Sequence, residues 1–223
     1  MNGRGTEGSH DKAGGLDEQR ITEIYDEPIA GGLDEQEETT APLEQIATER
    51  AHEDLVVQGD ESDTILRTRM LEVRFPLGEK DRESIDKLQD MFNDMWEEGV
   101  AIGLAGNQAG VPLRAFVCCL NKEHRLFINP EIIGHSKGKK WKVEGCLSLP
   151  FVGVRIKRYK EVTLRYHNED GEECVEQFRL AKHARIVQHE LDHLNGILIS
   201  DYYNGKKGNE SNMGLHPQEE DLM

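Results

Sequence analysis

Cationic residues are in short supply in this chain. Only 27 Lys and Arg stand against 43 Asp and Glu over 223 residues, a formal net charge of −16. A nucleic-acid binder needs a basic face, so the overall balance speaks against one and no direct nucleic-acid binding is expected. Cysteine is scarcer still, at four. Cys118 and Cys119 are neighbours, and in a strand their side chains point to opposite faces, out of reach of each other. Cysteines so few and so placed give no disulfide framework, which suits a reducing compartment. No run of 18 apolar residues occurs, so no segment reads as a membrane span. The N-terminus lacks the apolar stretch of a signal peptide, and it is acidic where transit peptides are acid-poor and Arg-rich.

The charge is uneven. Residues 1–60 hold 16 Asp and Glu against 4 Lys and Arg, and their one aromatic is Tyr25. Such a segment cannot bury enough apolar surface to offset its ordering entropy, so residues 1–60 are expected to be a disordered acidic extension. Within it Ala13-Gly14-Gly15-Leu16-Asp17-Glu18-Gln19 recurs as Ala30-Gly31-Gly32-Leu33-Asp34-Glu35-Gln36. Two copies do not make a solenoid. They are either a duplicated solvated linker or a bivalent short motif for a partner. Residues 42–56 carry a weak helical signal. A folded domain over 61–204 is expected, with its first apolar pairs at Ile65-Leu66 and Met70-Leu71, followed by a frayed polar tail over 205–223.

Inside that domain, Ile85, Leu88, Met91, Phe92 and Met95 follow a 3-4 spacing and predict a helix over Ser84 to Glu98. Ser84 is its expected N-cap and Gly99 its C-terminal glycine. The stretch 99–110 holds four glycines, as a sharp turn or a close approach of backbone requires. It is not a phosphate loop, because no Gly-Lys-Ser/Thr follows. Strands are expected at Arg114–Leu120, Arg125–Ile128, Glu131–Ile133, Lys140–Val143, Val152–Ile156, Glu161–His167 and Cys174–Leu180. Asn121 to His124 and Asn168 to Gly171 read as turns between them. Many short strands with one early and one late helix give an α+β fold. Its short antiparallel strands pack around a central helix.

That late helix carries Gln188-His189-Glu190-Leu191-Asp192-His193-Leu194, which contains H-E-x-x-H. Phe178, Leu180, Ile186, Val187, Leu191 and Leu194 are apolar at roughly helical spacing. Residues four apart lie one turn above each other, so His189 and His193 share a face and two imidazoles can grip one metal. Glu190, one step round, can act as general base on a water there. The bland alternative is a buried amphipathic helix that happens to hold these residues.

Two histidines leave a third ligand to be found. A metzincin would need His ten residues after His189. Gly196 fits its place in that pattern, but position 199 is Ile. A thermolysin-like Glu downstream has only Glu210, Glu219 and Glu220 to draw on, in a polar tail. Upstream, Cys146 offers a thiolate, a strong ligand for Zn or Fe(II), or it is simply a small buried hydrophobe.

Three ordered segments resemble a known family: Gly103-Leu104-Ala105-Gly106-Asn107-Gln108, Glu144-Gly145-Cys146-Leu147-Ser148-Leu149-Pro150, and the H-E-x-x-H stretch. Together they look like the signature of peptide deformylases, G-φ-G-φ-A-A-x-Q, E-G-C-φ-S and Q-H-E-x-D-H-φ. The resemblance runs from about Thr64 to Tyr203. The first segment departs twice, with Ala101 in place of Gly and Gly106 in place of Ala. Many bacterial members end in a basic C-terminal helix that helps dock on the ribosome. The short ending here instead resembles deformylases carried by phages, and the acidic extension has no counterpart in the family core.

The resemblance implies a cytoplasmic enzyme of bacteria, or of a phage-infected host. It would remove the formyl group from the N-terminal formyl-methionine of nascent polypeptides, with at most a transient ribosome contact. It further implies that Cys146, His189 and His193 hold one divalent metal, with Fe(II) the typical ion and Zn, Ni or Co able to replace it. Glu190 would move the proton, while the Gln108 side chain and the Leu147 backbone N–H would hold the developing oxyanion. Ile102, Gly103 and Ile186 would line the methionine pocket, and Glu144 and Arg158 would pair behind the site. Asp192 is either a supporting hydrogen-bond partner or a solvated charge. The competing classes are an H-E-x-x-H peptidase and a non-catalytic module that keeps the fold.

Overall fold

The computed structural model describes residues 54–59 and 63–203. A 3-10 turn, Asp63–Arg67, leads to helix α1, Glu79–Glu97. Seven strands follow: β1 Gly103–Ala105, β2 Ala115–Leu120, β3 Glu123–His135, β4 Lys139–Cys146, β5 Leu149–Tyr159, β6 Val162–His167 and β7 Glu173–Phe178. Helix α2, Ala181–Leu194, and the short α3, Ile199–Tyr203, complete the described chain. Strands β1-β2-β3-β6-β7 form one antiparallel sheet in that order, and β4 and β5 form a separate two-stranded ribbon. The expected α+β architecture with antiparallel strands is what is found.

The period of two in β2 divides the interior. Ala115, Val117 and Cys119 face one core, with Ile85, Leu88, Phe92 and Met95 of α1. Phe116, Cys118 and Leu120 face the other, with Ala184, Val187, Leu191 and Leu194 of α2. Neighbouring residues of a strand point to opposite faces, so Cys118 and Cys119 lie in different cores, and both are free. A third cluster joins the ribbon to the chain ends, through Leu149, Val154, Ile156, Leu66, Val56, Leu198 and Ile199. Helix α2 lies between the main sheet and the ribbon, so the helix carrying H-E-x-x-H is the central one.

Several boundaries differ from the sequence reading. Helix α1 begins five residues earlier than Ser84, after Gly78, and has no side-chain N-cap. Its five buried side chains at roughly 1.5–3 kcal/mol each outweigh a missing cap worth about 1 kcal/mol. Gly99, just past the cap residue Glu98, has φ +73°, as its expected role requires. The strands expected at 125–128 and 131–133 are one 13-residue strand that carries Asn129 at φ 52° and register shifts around Pro130. The turn before it narrows to Asn121 and Lys122, both at positive φ, with Glu123 and His124 already in β3. Phe178 ends β7, and Leu180 stands at the N-cap of α2 rather than within the helix. The apolar residues Ile197 to Ile199 lead into α3.

The boundary placed at residue 61 also moves. Leu55 and Val56 are buried, Leu55 in the α1 core and Val56 in the ribbon core. The Val56 N–H donates to the Gln108 carbonyl at 2.8 Å, and the Gln58 N–H donates to the Ser148 carbonyl at 2.9 Å. Residues 54–56 are not helical. The repeat at 13–19 and 30–36, the rest of the 42–56 helical signal and the tail 205–223 lie outside the described residues.

Candidate metal centre

Helix α2 sets the first two groups of the site. Its turn places the His189 and His193 rings 5.0 Å apart, centroid to centroid. The ribbon brings the third. Cys146 ends β4, and its Sγ lies 3.2 Å from His193 Nε2. The ligand atoms of Cys146, His189 and His193 all fall within 4.8 Å of one another, and among the described residues this is the one such group.

Burial holds His193 well below the ordinary imidazole range, so it stands neutral with a lone pair to offer. His189 goes the other way. Burial disfavours its charge, but hydrogen bonds to Cys146 and Glu144, with the Glu190 carboxylate close by, raise its pKa well above normal. A sulfur and two imidazole nitrogens thus converge at one point. Those donors suit a divalent cation of the Zn or Fe(II) kind.

Behind the histidines is a buried ionic cluster. Glu144 Oε2 meets His189 Nδ1 at 3.1 Å, which fixes the ring and leaves Nε2 toward the site. Arg158 grips the same carboxylate with both arms, Nε to Oε1 at 2.7 Å and an NH2 nitrogen to Oε2 at 2.8 Å. It also donates to Asp192 at 2.7 Å. Arg185 donates to Glu144 from the other side and to the Lys140 carbonyl. Burial opposes the Glu144 charge, yet Arg158 and His189 hold its carboxyl far below the usual carboxylate range. The expected Glu144–Arg158 pair is present. Asp192 is no solvated charge: it is buried and accepts from both Arg158 and the Tyr202 hydroxyl, the latter at 2.7 Å.

Glu190 is buried, and burial pushes its carboxyl up to about 7. Its Oε2 has no hydrogen-bond partner among the described residues. The carboxylate fits because residue 103 is glycine. A Cβ there would lie 2.8 Å from Glu190 Cδ and closer still to Oε1. Gln108 is held from both ends. Its Oε1 accepts from the Ala105 N–H at 3.0 Å, and its Nε2 reaches Ser148 Oγ at 3.1 Å and Cys146 Sγ at 3.8 Å. Ile102, Gly103, Gln108, Cys146, Leu147, Ile186, His189 and Glu190 border one cavity of about 130 Å³. The residues that the resemblance assigns to the site are therefore in or directly behind one place.

Four supports escaped the sequence reading. Asn107 donates to the His193 carbonyl at 2.7 Å, and Arg114 donates to the Leu194 carbonyl and to Asn195. Both secure the end of α2 that carries His193, where free carbonyls need donors. Ser148 receives Gln108, and Arg185 completes the Glu144 cluster. Arg185 had a readable signal, lying four residues before His189 on the same helical face. The others depend on long-range contacts that spacing does not reveal.

The fold and the site define a metal-dependent hydrolase of the H-E-x-x-H kind. The family model for polypeptide deformylase matches residues 54–209. Among curated relatives, the peptide deformylase of Pseudothermotoga lettingae is 50% identical over 121 residues, spanning 54% of this chain and 69% of the relative. That of Treponema pallidum (strain Nichols) is 36% identical over 137 residues, spanning 61% and 83%. The crystal structure of the Thermotoga maritima peptide deformylase aligns with a TM-score of 0.58 at 35% identity, over 66% of this chain and 94% of that one. A Plasmodium falciparum peptide deformylase, solved with an inhibitor, gives 0.56 and 35%, over 66% and 86%. This chain belongs to the polypeptide deformylase family. It is a metallohydrolase that uses a divalent metal and removes the N-formyl group from the N-terminal formyl-methionine of newly made polypeptides, releasing formate.

Proposed function

We propose that Cys146, His189 and His193 hold the divalent metal, that Glu190 is the general acid–base and that Gln108 and the Leu147 backbone N–H hold the oxyanion. The observation that carries this assignment is the convergence of sulfur and two imidazole nitrogens within 4.8 Å beside a buried, unpartnered carboxylate. When bound, the cation supplies Lewis-acid chemistry that brings a water toward ionisation near neutral pH. Glu190 takes that water's proton as the oxygen attacks the formyl carbon. Charge then gathers on the formyl oxygen, where donors from Gln108 and Leu147 stabilise it. As the carbon–nitrogen bond breaks, Glu190 returns the proton to the leaving amine. Glu190 is buried on the wall of the cavity, beside the three ligands, where one carboxyl can serve both transfers. Ile102, Gly103 and Ile186 receive the methionine side chain, with Ala101, Val100 and Trp96 further along the same cavity.

Fe(II) is the metal we assign, as the ion typical of the family; Zn, Ni or Co fit the same thiolate and two imidazoles. The enzyme acts in the cytoplasm of a bacterium or phage-infected host, with transient ribosome contact at most. Formate release from formyl-Met-Ala-Ser by anaerobically prepared, Fe(II)- or Ni(II)-loaded protein tests the assignment. Glu190→Ala is expected to keep the metal and lose turnover, and Cys146→Ala to weaken metal binding itself. Full turnover by Glu190→Ala would overturn the role given to that carboxylate.

A further inference from the structure

The ribbon β4–β5 has two faces, and the metal centre uses one. Lys140, Lys142 and Glu144 border the cavity and pair across the ribbon with Arg158, Ile156 and Val154. The opposite face carries Lys139, Trp141 and Val143 facing Tyr159, Lys157 and Arg155 in register. Trp141 is 42% exposed and Val143 40%. Arg155 lies 5.5 Å and Lys157 5.8 Å from the Trp141 ring centroid. Lys139 sits 4.4 Å over Tyr159, whose ring stacks on His135 at 3.7 Å. Neither Arg155 nor Lys157 has a carboxylate partner among the described residues.

The sequence concentrates charge here against its own trend. Residues 135–160 contain eight Lys and Arg and one acidic residue, Glu144. Glu144 is buried on the other face, as is Arg158. The expectation that the chain has no basic face rested on its net charge, most of which belongs to residues 1–60. At physiological ionic strength fields fade over about 8 Å, so a partner at the ribbon meets the local cations rather than the average.

We propose that this outer face of the ribbon binds single-stranded RNA, with phosphates on Arg155 and Lys157 and a base stacked on Trp141. Cations alone would suit any polyanion. An exposed indole bracketed by a guanidinium and an ammonium favours one that also carries flat rings, because stacking on aromatics is how unpaired bases are held. RNA is chosen over DNA on the deformylase activity, since new polypeptides leave a machine built largely of RNA. The binding surface itself is independent of that activity, because the ribbon's other face serves the metal centre.

The test uses the full-length, metal-loaded enzyme and a labelled, unstructured RNA of about 12 nucleotides, followed by fluorescence anisotropy at low salt. Two phosphate contacts predict that log Kd rises with log salt with a slope of about 1.4. Arg155→Glu/Lys157→Glu is expected to weaken binding at least tenfold while formate release from formyl-Met-Ala-Ser stays unchanged, which also shows that the variant is folded. RNA should quench the tryptophan emission of a Trp96→Phe variant and leave that of Trp141→Phe unaltered. No binding at low salt, or an affinity untouched by the double substitution, would overturn the proposal. Equal affinity for DNA of the same sequence would overturn the choice of RNA.

Discussion

Gly103→Ala is the sharpest probe of how the general base is held. The added methyl would lie 2.8 Å from Glu190 Cδ and 3.1 Å from Cγ, whereas carbon atoms rest at about 3.5–4.0 Å. The backbone of residue 103 has little freedom to yield, being paired with Cys118 in the sheet. The carboxylate must therefore retreat by roughly 1 Å, and a displacement of that size at a reacting group can cost about 100-fold in rate. Overpacking of this kind also destabilises by about 1–3 kcal/mol. The assay is kcat by formate release, alongside metal content and thermal melting. We expect kcat to fall about 100-fold with metal stoichiometry unchanged. In a Glu190→Ala background the same glycine substitution should cost nothing further, because the group it displaces is gone. A Gly103→Ala enzyme within threefold of wild type, or a second large loss in the double variant, would refute the reasoning.

Glu144→Gln leaves Arg158 and Arg185 facing a neutral amide and frees the His189 ring, so it should cost about 3–5 kcal/mol in stability and about 10–100-fold in metal affinity, read by urea melts and competition with a chelator. In the metal-free protein the Glu190 carboxyl, raised from 4.5 to about 7, binds its proton more tightly when folded. Its contribution is fully present below pH 4.5 and is lost as pH rises to 7, about 3 kcal/mol in all. Urea melts at pH 5 and 7.5 should show that decline in the wild type and a smaller one in Glu190→Gln; parallel declines would refute it. Removing the metal should lower the melting temperature by roughly 10 °C, taking about 4 kcal/mol of linkage at a thousandfold excess over Kd and about 2–4 °C per kcal/mol for a body this size.

The 3-4 spacing in α1 was legible because burial on one face leaves a periodic trace in the sequence, and β2, buried on both faces, was legible as a short apolar run. So were His189, Glu190 and His193, which one helical turn relates, whereas Cys146 and Gln108 were reached only through the resemblance of their segments to the family's. The start of α1 was not, because its first turn is exposed and polar and Gly78 offers no cap signal. Pro130 and Asn129 split β3 on paper, whereas the folded strand absorbs both in a bulge. Asn107, Arg114 and Ser148 serve α2 and Gln108 across 40 to 86 residues of chain, a distance over which no local pattern carries information. The ribbon's cationic face was hidden by averaging charge over a chain whose first 60 residues are acidic.

The strap at residues 54–59 sets a limit on how the chain can be shortened. Leu55 and Val56 turn into two separate cores, and the backbone on either side ties the Gln108 loop to the Ser148 loop. A cut that takes only residues before Asp54 leaves both of these backbone hydrogen bonds in place. A cut a few residues later unfastens the two segments that together present Gln108 and Leu147, and it would register first as lost turnover, with the metal still in place.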